Sequence, residues 1–120
     1  MAISSAICSS FKQELLQGKH SLDTSGNGGD TFKLAMFTSS ASLGAATTAY
    51  STSNEISGSG YSAGGATLTN TGVGLTSTTA FTDFSDVSFT SASFTANGCL
   101  IYNTTTAGGS GTTNAVCVIA

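Results

Sequence analysis

Apolar side chains recur at Ile3, Ile7, Phe11 and Leu15, a four-residue step that places them on one face of a helix, with Cys8 and Leu16 widening the stripe. The spacing predicts an amphipathic helix over 3–17, with Ser4 or Ser5 as its cap. Gly18 suits the position just past its end, and Lys19 and His20 suit the negative end of its dipole. Ile3, Ile7, Phe11 and Leu15 are therefore candidate packing or interface residues, docking on the rest of the domain or on a neighbouring subunit. No other segment predicts a helix.

A glycine-rich loop over 24–30 follows, and the period then changes to two. In 31–38, Phe32, Leu34 and Met36 fall on one face and Lys33, Ala35 and Phe37 on the other, which predicts a strand. Residues 39–65 are Ser, Thr, Ala and Gly around isolated Leu43, Tyr50, Ile56 and Tyr61, suited to short strands and glycine turns. Further strands are expected in 66–75, 80–84 and 86–89. Phe89 and Phe94 are an odd number of residues apart, so a bulge or turn near Ser91, Ala92 and Ser93 is needed to bring them to one face. The runs 98–103 and 115–120 are continuously apolar, as buried strands are. The loop Gly108, Gly109, Ser110 and Gly111 between them reads as the connection of a hairpin or neighbouring pair. The chain stops inside the last run, where a terminus tied down in a sheet is expected.

These elements predict one mainly β domain over 1–120, a β-sandwich or barrel-like arrangement of short antiparallel strands over 30–120 with one N-terminal helix. Composition sharpens the picture. A third of the residues are Ser or Thr, only 8% are charged, and Pro, Trp and Arg are absent. The mean hydropathy of +0.20 favours order over disorder. Large core side chains are few, so packing against other subunits is expected to supplement the core.

The net charge is −3, with Lys12, Lys19 and Lys33 the only firm cations. Nucleic-acid binding needs several phosphate-neutralising side chains on one face, so that class is set aside. No apolar run is long enough to span a bilayer, and the start of the chain lacks the basic and apolar regions of an export signal. Cys8, Cys99 and Cys117 have no metal-ligand spacing and read as small buried hydrophobes. A Cys99–Cys117 bridge would require their strands to be neighbours, which the sequence does not specify.

Candidate chemistry is sparse. His20 is the single histidine, so no Ser/His/Asp arrangement can be argued. Asp83 and Asp86 differ by an odd step that splits the faces of a strand, and they read as turn-capping carboxylates. The glycines at 26–29 and 108–111 lack the Lys and helix of a phosphate loop. Asn103 opens a glycosylation sequon that has no meaning without export. The threonines at 47–48, 78–79 and 104–106 would suit an ice-binding face only if they repeated with a fixed period, and they do not. The expectation is a non-enzyme with no cofactor and no metal.

Five stretches carry a family resemblance: 1–20 (MAISSAICSSFKQELLQGKH), 30–37 (DTFKLAMF), 41–50 (ASLGAATTAY), 55–61 (EISGSGY) and 98–103 (GCLIYN). In this order they resemble a family of small virion structural proteins of tailed bacteriophages, common in aquatic phages and including cyanophage-like examples. The likeness covers nearly the whole chain and marks a family, not a chemistry. It implies a capsid cement, or decoration, protein on the outer head surface, with the major capsid protein as partner and a homotrimer as the assembling unit. The alternative it leaves is a tail or fibre protein of the virion, where the Ser, Thr, Gly and Tyr surface would serve receptor binding. Members of the family carry a further strand after the run corresponding to 115–120, and this chain stops there.

Overall fold

In the computed structural model, which describes residues 2–24, 28–105 and 112–120, the chain order is β1 (Ala6–Ile7), α1 (Ser9–Leu16), β2 (Phe32–Phe37), β3 (Ala66–Thr67), β4 (Asn70–Thr76), β5 (Thr79–Phe84), β6 (Gly98–Asn103) and β7 (Asn114–Ile119). Five strands form one antiparallel sheet in the order β1-β7-β6-β2-β3, and β4 and β5 form a separate hairpin. The protein is mainly β with one short helix, as the periodicities predict, and the sheet stays open instead of closing into a barrel. The expected glycine loop at 108–111, and residues 25–27 of the loop at 24–30, lie outside the described residues.

The centre of the sheet follows the hydrophobic pattern closely. Residues 98–103 and 115–120 supply β6 and β7, which lie side by side, with β2 on the other flank of β6. The alternation in β2 sends Ala35 and Phe37 to one face, together with Leu100, Tyr102 and Val118, all buried. The segment 39–56 covers this face: Tyr50 stacks on Tyr102 at 4.4 Å and meets Phe37 edge-on, while Ala41 and Ile56 are buried. Phe32 and Asn103 lie opposite each other on the second face, at the end of the sheet that Phe84 and His20 close.

The helix is shorter than its stripe predicts. It begins at Ser9, and Cys8 at its N-cap is extended and makes no side-chain cap. Upstream, Ala6 and Ile7 pair with Val118 and Cys117, and Ile3 bridges to Leu43. The reason is the free edge of β7: pairing there satisfies backbone groups of both segments, which outweighs two further turns of an isolated helix. Ser4 and Ser5 are therefore not caps. The Ser4 N–H donates to the Leu43 carbonyl, and the Ser5 hydroxyl accepts from the Ala120 N–H. The C-terminal end matches expectation: Gly18 has φ +73, its N–H donates to the Leu15 carbonyl, and the Lys19 N–H donates to Glu14, a Schellman motif.

Two other strand expectations are corrected. Residues 66–75 are not one strand, because the chain leaves the sheet after Thr67 and β4 begins at Asn70. Residues 86–89 form no strand. Their aromatic ring instead joins a cluster of Tyr61, Phe89 and Phe94 with centroids 5.6–5.9 Å apart. The chain reverses at Thr90 and Ser91, with Ser91 at φ +52, and this turn brings Phe89 and Phe94 together as the odd spacing requires.

Candidate functional site

Three polar side chains, His20, Asp30 and Asn103, are buried together. Asn103 is fully buried, and its Nδ2 donates to Nδ1 of His20 at 2.9 Å and to Oδ2 of Asp30 at 2.7 Å. Its Oδ1 accepts from the Thr105 N–H, which fixes the orientation of the amide. With Nδ1 accepting, the ring proton of His20 sits on Nε2 and is donated to Oε1 of Glu14 at 2.7 Å. Glu14 Oε2 accepts from Asn114, and Asp30 Oδ2 accepts from the Ser21 N–H. The sequence places His20 at a helix end for its dipole; the structure instead places it under Phe11 and against Phe32, as a tie between α1, β6 and β7. Its two nitrogens are both engaged, so it presents no open position to a substrate.

A second carboxylate is held in the same manner. Glu55 accepts from Tyr50 at 2.6 Å through Oε1, and from Tyr61 at 2.5 Å and the Gly64 N–H at 2.8 Å through Oε2. The Tyr61 hydroxyl also accepts from the Met36 N–H, and Tyr102 donates to the Gly64 carbonyl. Burial, followed by the hydrogen bond and charge of Glu55, pushes the Tyr50 and Tyr61 hydroxyls well above the usual tyrosine range. These phenols donate and do not ionise near neutral pH, which suits a fastening of the 50–64 loop to β2 and β6.

The three cysteines are free thiols. The strands of Cys99 and Cys117 are neighbours, but Cys117 stands opposite Ile101 and Cys99 opposite Ile119, two positions out of register. Burial, together with Cys8 and Cys99 nearby, pushes the Cys117 thiol up to about 11, so little thiolate is present at neutral pH. Among the described residues, no group of three His, Cys, Asp or Glu is placed to hold a metal ion, and no helix is long and apolar enough to cross a membrane. Asp83 lies on exposed β5 and accepts from the Phe84 N–H. The threonine pairs sit on three separate parts of the molecule: Thr47 and Thr48 in the 39–56 segment, Thr79 at the hairpin turn and Thr104 after β6.

The surface is mostly neutral hydroxyls, with a few exposed apolar side chains among them. Strand register places Ile7, Cys117, Ile101 and Leu34 in one row of the second sheet face, with Ile119, Cys99 and Met36 in the next. On this face Ile101 is buried, Leu34, Met36, Cys99 and Cys117 are half-buried, and at the β1–β7 side Ile7 is 49% exposed and Ile119 nearly the same. The other face of the sheet carries a broad groove of about 740 Å³ beside 41–54, lined by Ala, Ser, Thr and Gly with Phe37, Leu43, Asn54 and Leu100. None of its lining residues is ionisable.

The four stripe residues thus divide. Phe11 is buried at 5% exposure and Ile3 packs against the core, whereas Ile7 and Leu15 face outward, Leu15 at 41%. The structure brings Ile7 to the open sheet face as a strand residue, a role the helical spacing conceals. The sequence also gives no prominence to the hairpin residues Val73 and Leu75, which are 58% and 71% exposed. Two alternating runs around Ser77 and Thr78 are its only signal. Comparison with protein-family models, with curated proteins and with solved structures finds no match to this chain.

Proposed function

We propose that this chain is a non-catalytic cement, or decoration, protein of a tailed-phage head, binding the outer shell as a homotrimer at local three-fold positions and bracing the major capsid protein. The observation that carries the reading is the open, uncharged sheet face around Ile7, Cys117, Cys99 and Ile119. An apolar face of this kind on a small domain calls for a protein partner. Little charge lies on it to be desolvated, and surrounding hydroxyls can add neutral hydrogen bonds worth about 0.5–1.5 kcal/mol each. Repetition over a symmetric lattice turns modest single contacts into avidity. The resemblance of residues 1–20, 30–37, 41–50, 55–61 and 98–103 to small virion proteins points the same way. The partner is protein, not nucleic acid or lipid, and the location is the virion.

Antibody labelling of intact virions under the electron microscope tests this. Label distributed over the head is the expected result. Label confined to the tail or fibres would replace cement with the tail reading, and unlabelled virions that lack the protein would refute both.

A further inference from the structure

The hairpin β4–β5 stands apart from the rest of the molecule. Its root is held: Asn70 Nδ2 donates to the carbonyls of Leu22 and Asp23, and Phe84 meets Phe32 at 5.7 Å. Beyond the root, among the described residues, no backbone hydrogen bond reaches the outer edge of either strand. A two-stranded ribbon of this kind is marginal in water by itself.

Its two faces differ. Phe81 stands opposite Gly74, and its ring occupies the space where a Cβ on Gly74 would be, Cζ lying 2.5 Å from that position. The ring and the bare glycine thus cover each other on one face. Val73 and Leu75, opposite Thr82 and Ala80, are the apolar side chains of the other face, and they remain mostly exposed.

Proteins that keep strand edges apart place Lys, Pro, inward charges or bulges along them. From Asn70 to Phe84 the only ionisable residue is Asp83, and there is no Lys or Pro. The register shift lies between Asn70 and Gly72, also at the root. Among the described residues, the hairpin beyond Thr82, whose hydroxyl still donates to the Leu22 carbonyl, therefore carries open edges and an uncharged aliphatic face with nothing to discourage pairing.

We propose that the hairpin β4–β5 is the self-association element of this protein. β5 of one copy pairs edge to edge with β4 of the next, and the Val73 and Leu75 faces turn inward around a common axis. The occupant is a second copy of this chain because what the hairpin offers, an open strand edge beside a neutral aliphatic face, is complementary to itself. Pairing β5 with β4 is a head-to-tail contact, which forms a ring when its rotation closes. Only the number three rests on the cement reading; the hairpin contact does not.

The test uses the purified full chain. Light scattering after size exclusion should give a multiple of the 11.8 kDa chain mass, and the double variant Val73→Lys, Leu75→Lys should give the single-chain mass with an unchanged circular dichroism spectrum. A wild-type protein that is monomeric at every concentration, or a folded variant of unchanged mass, overturns the proposal. Should the variant unfold, amide exchange of the wild type decides: protection of 71–83 that falls on hundredfold dilution supports the contact, and protection indifferent to dilution overturns it. None of these readouts involves virions, so failure of the cement reading is scored separately.

Discussion

The hydroxyl of Tyr61 lies 2.5 Å from Oε2 of Glu55 and also accepts from the Met36 N–H, so one side chain joins a loop carboxylate to the backbone of the central sheet. Tyr50 takes the other carboxylate oxygen and stacks on Tyr102 of β6. The long segment between β2 and β3 is held to the sheet by phenols that must keep their protons.

Stability should therefore fall in alkali. Tyr50 and Tyr61 hold their protons more tightly in the folded chain than in the unfolded one, mainly through burial and then through Glu55. The folded state thus binds more protons above the unfolded tyrosine value of about 10, so stability is full below it and falls as pH rises through it. A denaturation midpoint that is flat to about pH 9 and declines above about pH 10 is expected, with a shallower decline in Tyr61→Phe. A midpoint indifferent to pH through this range would count against the clasp.

Asn103→Leu should destabilise by at least about 2 kcal/mol, since it leaves His20 Nδ1 and Asp30 Oδ2 each a buried partner short. Urea titration measures it. A neutral substitution would show that solvent reaches the cluster.

Phe11→Ala should cost about 3–5 kcal/mol, because the ring is buried against His20. Leu16→Ala, at the end of the same helix and almost fully exposed, should change stability by less than about 0.5 kcal/mol. Similar losses from both would mean that the helix packs by a different face.

On the cement reading proposed above, virions should keep the protein from low salt to about 1 M, over which the Debye length falls to roughly 3 Å. A contact built from Ile7, Ile119 and neutral hydroxyls has few ion pairs to screen. Release by salt alone would contradict an uncharged interface.

The strands β2, β6 and β7 were legible because each pairs a strong local pattern with burial: Phe32, Ala35 and Phe37 are buried along β2, and 98–103 is a nearly continuous apolar run. The turn between Phe89 and Phe94 was legible from parity alone. The first turns of the expected helix were not, because Ile3 and Ile7 fit a four-residue period equally well when each lies in its own extended pairing. The Glu55 clasp had no sequence signature, since its tyrosines lie in irregular loops whose course depends on glycines such as Gly65. There φ is +83 and a Cβ would strike the Leu34 carbonyl. Nor can one sequence say which apolar face finds a cover within its own fold. Val73 and Val118 are the same residue type in strand-like runs, yet the first is open to solvent and the second is buried in the core.

The pairing of β1 with β7 also sets an order of events. Ala6 stands opposite Val118, more than a hundred residues away along the chain, whereas Thr76 stands opposite Thr79 in the hairpin. Hairpin closure takes roughly 1–10 μs, and sheets dominated by distant pairings form in milliseconds to seconds. During synthesis the hairpin is therefore complete while the edge of the main sheet still waits for its last strand to leave the ribosome. Each nascent chain passes through an interval in which the ribbon with exposed Val73 and Leu75 is formed and the core is not. Expression at low temperature and low local concentration should shorten the reach of that interval into aggregation.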